Sequence, residues 1–451
     1  MRGLIEPELE AGVRARLDAR LSRNVCEPVA VALSGGGDSV ALLRIAADWA
    51  RARGRRLLAL TVDHGLQTSS GEWTAFAGEQ ARRCGAAWAP LAWRGAKPQT
   101  GLAAVARSAR HRLIADAARR AGARVVLFGH TADDIDEAEW MRAGGSTLGR
   151  VREWSPSPVW PQGRGLMLLR PLLEVRREPL RRWLAARDQP WIDDPANDDP
   201  RHARARARRA LSGDPLDRAE PPFRPPAGDR PRPTEGEGFR CGRNTSRQML
   251  AAALVCAGGG EAQSRGGRLQ ALLERVKAGE DFTATLAGAR LEATGPDVLI
   301  VREAGELRRR AAQALALTPG TPAVWDGRFE LEASARGWSV AAAQGRMARL
   351  SPADRARLSR LPSAARAAWP VLMREEGSPV LAAESVAVRG LTAQRMRLAL
   401  GALSGETTHE DDLRSPADGE GSWNPLCLGA EHMTGGADGA RRTTEDFNEP
   451  A

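Results

Sequence analysis

The chain has 451 residues, of which 42% are hydrophobic, and it carries a formal net charge of +10. This length accommodates two or three domains, and no apolar run approaches the roughly 18 residues that a membrane helix needs. The first residues lack the apolar core of a secretion signal, and the five cysteines are scattered without Cys-x-x-Cys spacing. These features argue against membrane and disulfide-rich secreted proteins and predict a cytoplasmic protein with reduced thiols and no membrane partner.

Arginine supplies nearly all of the positive charge, because Lys97 and Lys277 are the only lysines. An excess of guanidinium groups favours partners that are rich in phosphate. The abundance of arginine, alanine and glycine is also what GC-rich coding produces. The charge alone therefore favours a nucleic-acid partner only slightly.

The predicted elements begin with a helical lead-in over residues 1–28. From residue 29 to residue 212, short apolar strands alternate with helices, which predicts an α/β domain with a doubly wound parallel sheet. Residues 213–245 are rich in proline and arginine and are predicted to be a linker. Residues 246–402 are predicted to be a smaller α+β domain, and the polar, aperiodic residues 403–451 a disordered tail. The predicted strands of the sheet are residues 29–33, 57–62, 86–92 and 124–128, with helices near residues 38–53, 72–84, 101–121 and 133–143.

A glycine-rich loop follows the first predicted strand. It consists of Ser34, Gly35, Gly36, Gly37, Asp38 and Ser39. Glycines allow a sharp turn and a close approach to a ligand, and the free N–H groups of the following helix attract an anion. The serine hydroxyls add donors, and the Asp38 carboxylate stands where a phosphate-bound Mg²⁺ would be held. No lysine follows the glycines, so this is not a Walker loop. We predict a pyrophosphate-binding loop, with a capped turn that binds no ligand as the alternative.

Two further polar segments follow strands of the same predicted sheet. Asp63 and His64 end the second strand, and His130 precedes a helix that carries Asp134 and Glu137 on one face. Carboxylates at the mouth of a nucleotide site can hold Mg²⁺ or a cationic substrate group. The alternatives are an Asx-capped turn for the first segment and acids that compensate a helix dipole for the second.

A later predicted helix carries Arg204 and Arg208 one turn apart on the same face. Such a stripe of guanidinium groups suits the phosphates of ATP or of an RNA backbone. The alternative is a solvated helix in an arginine-rich chain.

Together these segments resemble the tRNA(Ile)-lysidine synthetase family of PP-loop ATP pyrophosphatases, over about residues 25–210. The matching segments are Ser34–Leu43, Val62–Leu66, Ala106–His111, Gly129–Glu137, Met141–Gly149, Arg170–Leu173 and Trp191–Arg208. The last segment discriminates best between this family and other PP-loop proteins. The departures from the family pattern are Gln67, His111, Ile135, Asp136, Ala138, Ala196 and Ala205, and none of them removes a proposed ligand.

The resemblance implies a Rossmann-like PP-loop domain that uses ATP and Mg²⁺. In the family, the wobble cytidine of the CAU anticodon of tRNA(Ile) is adenylated. Free L-lysine then attacks C2, giving lysidine, AMP and pyrophosphate. The oligomeric state is left open between a monomer and a homodimer, and the 246–402 domain is expected to contribute to tRNA binding.

The resemblance also implies roles for individual residues. ATP is expected to bind Ser34, Gly35, Gly36, Gly37, Asp38, Ser39, Asp63, His64 and His130, with Mg²⁺ on Asp38. Lysine is expected to bind Asp134 and Glu137, and tRNA to bind Arg107, Arg110, Arg142 and Arg208. The residues expected to act in catalysis are Asp38, Asp134, Glu137 and Arg204.

Two other functions stay open from the sequence. Another PP-loop tRNA-modifying enzyme, such as a thiolase acting on RNA, generally needs cysteine pairs, which this sequence lacks. A non-catalytic RNA-binding relic of the fold would have no affinity for Mg·ATP, and the intact Ser34–Ser39 loop argues against it.

Overall fold

The computed structural model describes residues 6–95, 97–146, 149–194, 203–211, 226–261, 267–309 and 314–413. In its N-terminal part, strands alternate with helices. The elements are α1 (Glu6–Arg20), β1 (Val29–Ala32), α2 (Gly37–Ala52), β2 (Leu57–Asp63), α3 (Ser70–Arg83), β3 (Ala87–Ala92), α4 (Leu102–Arg120), β4 (Val125–Leu127), α5 (Ala132–Ala143), β5 (Trp154–Pro156), β6 (Met167–Leu169), α6 (Arg177–Ala185) and α7 (Ala203–Ala210). The strands form one sheet in the order β3-β2-β1-β4-β6-β5, in which only the edge strand β5 is antiparallel.

This sheet confirms the predicted doubly wound α/β fold, and the side chains of β1 show why helices cover both faces. Val29 and Val31 enter one core with residues of α1, α2 and α3, whereas Ala30 enters a second core with Ile114 of α4. Successive residues of a strand point to opposite faces, so a strand that is apolar throughout must be buried on both sides. The glycine-rich loop Ser34–Ser39, which is predicted to bind phosphate and is called the phosphate-binding loop below, follows β1 at the carboxyl edge of this sheet.

The C-terminal part is an α+β region, as predicted. Its elements are β7 (Arg232–Thr234), β8 (Gly238–Gly242), α8 (Arg247–Gly258), α9 (Arg268–Lys277), β9 (Phe282–Leu286), β10 (Ala289–Thr294), β11 (Asp297–Arg302), α10 (Ala304–Arg309), β12 (Leu315–Ala316), β13 (Ala323–Trp325), β14 (Phe329–Ala333), β15 (Ser339–Ala342), α11 (Pro352–Ser359), α12 (Ser363–Arg366), β16 (Pro370–Met373), β17 (Val386–Gly390) and α13 (Thr392–Ser404). A five-stranded antiparallel sheet has the order β7-β8-β11-β10-β9. Two three-stranded sheets have the orders β12-β15-β16 and β13-β14-β17.

The last helix, α13, joins the two parts of the chain. Its residue Leu398 packs in the core on one face of the parallel sheet. Met396 and Leu400 pack in the core of the five-stranded sheet. One helix therefore supplies apolar side chains to both cores, which fixes the parts against each other.

The predicted linker over residues 213–245 is wrong where the structure describes β7 and β8. Phe239 and Cys241 are buried in the core of the five-stranded sheet, and Arg240 between them is exposed. The tight turn before them has positive φ angles at Gly236 and Glu237. Prolines and glycines surround this short alternation of buried and exposed residues. The composition of the segment therefore indicated a linker rather than strands. Residues 213–225 lie outside the described residues.

The predicted tail over residues 403–451 is wrong for its first part. A 3-10 turn, Glu410–Leu413, packs against the N-terminal part of the chain. The Glu410 carboxylate accepts hydrogen bonds from Arg55 at 2.8 and 3.0 Å, and both side chains are fully buried. Ser22 N donates to Glu410 as well, at 2.9 Å. A polar segment is ordered here because its acid is the counter-ion of a buried arginine. Residues 414–451 lie outside the described residues.

Among the described residues, no helix combines the length and apolar character required to span a membrane.

The buried ion pair predicts that Glu410→Ala lowers the free energy of unfolding by about 3–5 kcal/mol, because Arg55 would be left buried without a counter-ion. A matched control is Glu406→Ala, since Glu406 pairs with Arg230 where both side chains are about half exposed. We expect that control to cost less than about 1 kcal/mol. Urea denaturation of the two variants provides the comparison. Equal, small losses would show that water solvates Arg55 in the folded protein.

Candidate active site

The phosphate-binding loop is held by bonds within itself. Ser39 Oγ donates to Gly36 O at 2.9 Å and lies 3.1 Å from Ser34 Oγ. The backbone N–H groups of Ser34 and Gly36 donate to these hydroxyls at 3.2 and 3.4 Å. The N-cap residue of α2 is Gly36, which has no side chain to cap the helix. The serines therefore shape the loop, and the first amide groups of α2 remain to receive an anion.

A distant segment pairs with this loop through its backbone. Ile192 N donates to Gly35 O at 2.9 Å, and Gly36 and Ile192 form an isolated parallel bridge. Gly35 has a φ of +87°, and a Cβ added there would lie 2.7 Å from Ile192 Cδ1. A Cβ on Gly37 would lie 3.5 Å from the Trp191 ring. Gly35 is thus needed for close packing, whereas the Gly37 position leaves ordinary van der Waals contact distance to Trp191.

Two acids of α5 lie side by side at the edge of the sheet. Asp134 caps its own helix by accepting from Thr131 N at 2.8 Å and Thr131 Oγ1 at 3.1 Å. Glu137 is only 2% exposed and accepts from Arg208 Nε at 2.6 Å. Its second oxygen, Oε2, is buried without a hydrogen-bond partner among the described residues. The predicted acid pair is therefore brought together, and one carboxylate oxygen still has acceptor capacity.

Arg177 joins these acids to the phosphate-binding loop. Its Nε donates to Asp38 Oδ2 at 3.1 Å and its Nη1 to Glu137 Oε1 at 3.3 Å. Its Nη2 lies 3.7 Å from Asp134 Oδ2. We call Asp38, Asp134 and Glu137 the carboxylate cage. The sequence analysis did not select Arg177. The signal for it is two arginines at the start of α6, where the helix dipole disfavours cations unless acids face them.

Of the arginines predicted to act on phosphate or tRNA, three line the cavity and two do not. Those that line it are Arg110, Arg204 and Arg208, and those that do not are Arg107 and Arg142. Arg204 Nη1 lies 3.5 Å from Asp134 Oδ1, and Arg110 lines the cavity with a buried Nε that has no partner among the described residues. Burial, together with the charge of Arg107, lowers the pKa of Arg110 to about 10. Arg107 is exposed beside it. Arg142 donates to Glu139 of its own helix at 3.1 Å and does not line the cavity.

The remaining predicted ligands of ATP line the same cavity. Asp63 accepts from Gly65 N at 2.7 Å, so it forms the Asx turn that was the alternative for this segment. The His64 ring meets Trp93 edge to face, and burial lowers its pKa. His130 is buried and stacks on Phe128 with ring centroids 5.8 Å apart. Burial lowers the pKa of His130 to about 3, so this ring is neutral at physiological pH.

The pKa values of Asp38 and Asp134, two of the three acids that face Arg177, shift in opposite directions. Burial raises the pKa of Asp38, and the Arg177 charge opposes that effect only partly. Burial also acts to raise the pKa of Asp134. There, His130, Arg177, Arg204 and the Thr131 N–H outweigh it and hold the pKa below its ordinary value. A carboxylate that stays ionised in a buried site is suited to hold a cation.

These groups surround one cavity of about 500 Å³. Its wall includes the loop residues from Ser34 to Ser39 except Gly35, with Asp63, His64, Arg110, His130, Asp134, Arg177, Arg204 and Arg208. Glu137 does not line it, although Arg177 and Arg208, which contact Glu137, both do. A cavity of this size accepts a nucleotide. Its wall combines the amide donors and Asp38 at the start of α2 with Asp134 and the arginines Arg177, Arg204 and Arg208.

The donor set fits Mg²⁺ when phosphate oxygens complete it. Among the described residues, no three acidic, histidine or cysteine side chains are grouped closely enough to hold a metal by themselves. Mg²⁺ is usually bound by one or two carboxylates together with substrate phosphates and water. Asp38 offers such a carboxylate at the start of α2, next to the free amide groups.

The glycine-rich loop at the carboxyl edge of a parallel sheet defines a PP-loop nucleotide-binding protein, and the model of a family described as a PP-loop domain matches residues 9–214. The tRNA(Ile)-lysidine synthase of Caulobacter vibrioides is 48% identical over 407 residues, which cover 88% of this chain and 98% of that protein. That of Brucella anthropi is 32% identical over 337 residues, covering 67% and 73%. That of Hyphomonas neptunium is 42% identical over 206 residues, covering 45% and 55%. The chain belongs to the tRNA(Ile)-lysidine synthase family.

The contact between the loop and Ile192 predicts that Gly35→Ala destabilises the protein by about 1–3 kcal/mol and weakens Mg·ATP binding. Both the positive φ and the 2.7 Å approach to Ile192 Cδ1 oppose a methyl group there. Gly85→Ala is the control, because Gly85 also has a positive φ but no atom lies within 4 Å of its added Cβ. Thermal unfolding and calorimetric titration with Mg·ATP measure the two effects. A Gly35 variant that behaves like the Gly85 variant would contradict this account.

The second buried histidine, His111, predicts acid sensitivity. It is 3% exposed and stacks on Phe128, and burial, with the charges of Arg107 and Arg110, lowers its pKa to about 2. Between about pH 2 and about pH 6.5, the unfolded chain binds a proton at this position and the folded protein does not. Stability is therefore retained above about pH 6.5 and falls as the pH falls. His111→Phe should flatten this decline by about 1.4 kcal/mol per pH unit. Unfolding free energies between pH 4 and pH 8 provide the test, and equal slopes would refute it.

Proposed function

We propose that this protein uses ATP to adenylate the wobble cytidine of the CAU anticodon in an isoleucine tRNA, and then ligates free L-lysine to C2. The products are lysidine in the tRNA, AMP and pyrophosphate. One observation carries the proposal: a single cavity joins a phosphate-binding loop to a carboxylate cage with arginines beside it. Membership of the tRNA(Ile)-lysidine synthase family supports the same reaction.

The first half of the reaction needs a site for polyphosphate next to the reacting base. The free amide groups at the start of α2 and the dipole of that helix would bind the phosphates of ATP. Asp38 would hold Mg²⁺, which supplies positive charge to the phosphates when it is bound. The cytosine O2 would then attack the α-phosphate, forming a P–O bond while pyrophosphate leaves. Arg204 would stabilise the charge that develops on the phosphate.

The second half needs a site that recognises an ammonium group. Asp134 is a buried acid in the cavity wall, and Glu137 is a buried acid in contact with Arg177 and Arg208 of that wall. A lysine ε-ammonium requires such acids as partners. The amine must lose a proton before it attacks C2, and the C2–O bond then breaks to release AMP. Arg107, Arg110 and Arg208 carry positive charge near the cavity, where the anticodon backbone would pass. Arg142 has weaker support, because its side chain pairs within α5 away from the cavity wall.

The two other functions have less support. A thiolase acting on RNA would bring thiols to the nucleotide, and none of the described cysteines lines the cavity. A relic without activity has no need for the buried acids, whose charges cost energy to bury. The prediction that residues 246–402 bind tRNA stands as part of this proposal.

The proposal predicts ATP-dependent incorporation of labelled lysine into tRNA bearing a CAU anticodon. We expect Asp38→Asn to reduce this rate by about 10²–10³-fold, because a charge that stabilises the reacting phosphates is lost. Asp48→Asn is a matched control on the same helix, since Asp48 is exposed and pairs with Arg51. Pyrophosphate release should require the tRNA. Lysine-independent modification, or equal rates for both variants, would contradict the proposed function.

A further inference from the structure

The guanidinium of Arg177 lies within the carboxylate cage. Its three nitrogens lie between 3.1 and 3.7 Å from oxygens of Asp38, Asp134 and Glu137. These are the acids to which the proposed function assigns Mg²⁺ and the lysine ammonium. The cage therefore already contains one cation of the chain itself.

The position of Arg177 in its helix shows that these contacts hold it. It is the first residue of α6, where the helix dipole repels positive charge. Its side chain is only 17% exposed, so water supplies little of the solvation it needs. The Asp133 carboxylate accepts from its backbone N–H at 2.8 Å, which anchors the main chain. The backbone of Arg177 is thus held by Asp133, and the charge of its guanidinium is stabilised by the three acids.

Access to Glu137 is closed while Arg177 stays in place. Glu137 is 2% exposed and does not line the cavity, whereas Arg177 and Arg208 contact it and do line the cavity. Its Oε2 is buried without a partner among the described residues. An ammonium group that enters from the cavity meets the guanidinium groups before it reaches this carboxylate. Two cations at van der Waals distance repel each other, so both cannot occupy the cage.

We propose that Arg177 is a displaceable counter-ion of the carboxylate cage, which must give up its contacts with the acids when lysine and Mg²⁺ bind. This inference rests on the proposed function for the identity of those cations. Arg177 keeps three acids together that would otherwise repel one another. Since Arg177 lines the cavity itself, the guanidinium that leaves the acids can pair with the phosphates of ATP. It is a positioning residue, and it lowers the apparent affinity of the cage for cations by occupying it.

The test compares Arg177→Gln and Arg177→Lys with Arg182→Gln. Arg182 lies on the same helix, pairs with Glu178 on the surface and does not line the cavity. The first measurement is thermal unfolding during a titration with MgCl₂ at a fixed concentration of ADP, whose phosphate oxygens complete the metal site. We expect Arg177→Gln to melt lower than the wild type in the absence of Mg²⁺ and to recover as Mg²⁺ is added. Arg177→Lys keeps one positive charge and should lie between them, while Arg182→Gln should follow the wild type.

The second measurement is calorimetric binding of L-lysine to the Mg·ATP-loaded protein without tRNA, where no adenylation takes place. Arg177→Gln should bind lysine about tenfold more tightly than the wild type, because the competing cation is gone. Equal or weaker binding by Arg177→Gln would overturn the inference, as would a Mg²⁺ response no larger than that of Arg182→Gln. Failure of the proposed function is distinguishable. In that case the wild type incorporates no lysine into tRNA, although the Mg²⁺ titration still separates the variants.

Discussion

The backbone pairing between Ile192 and the glycines of the phosphate-binding loop is the constraint on which the site depends. A hydrogen bond of 2.9 Å joins the segment after α6 to the loop after β1, more than 150 residues earlier. Helix α6, which precedes Ile192 in the chain, packs in the same core as α2. Arg177 at its start reaches both the loop and α5. Glycine at position 35 is a condition for it, since a side chain there would meet Ile192. Residues 177–192 thus contribute both a backbone partner to the loop and a guanidinium group to the cavity.

The buried charges of the site are compensated by partners on other helices. Asp38 belongs to α2, Asp134 and Glu137 to α5, Arg177 to α6, and Arg208 to α7. Each of these charges would be costly to bury alone, so the packing of the helices and the pairing of the charges require each other. The arrangement places arginines and acids in contact in the wall of one cavity. Such a site offers charges of both signs, one for phosphate and one for an amine.

Features of this protein that depend on local pattern could be predicted from its sequence. The strand and helix alternation of residues 29–143 follows from periodicity and agrees with the structure within a few residues. The Ser34–Ser39 loop and the helical spacing of Asp134 and Glu137 are local as well. The family assignment from ordered motifs is confirmed, whereas the role of each site residue stays a prediction. Arg177 was missed because its partners come from two other helices. Strands β7 and β8 were missed because they are short and contain few apolar residues. They are stabilised by pairing with each other and, for β8, with β11, which the local sequence does not reveal.

The ion pair between Arg55 and Glu410 has a consequence for how the molecule is made. The N-terminus of a chain emerges first from the ribosome, and domains generally begin to fold as they emerge. The parallel sheet can form early, but Arg55 lacks its carboxylate until residue 410 has been synthesised. Over that interval, the nucleotide-binding part carries an uncompensated buried charge or keeps the region around Arg55 open to water. During synthesis, the N-terminal half therefore cannot complete its buried ion pair until Glu410, near the other end of the described chain, is present.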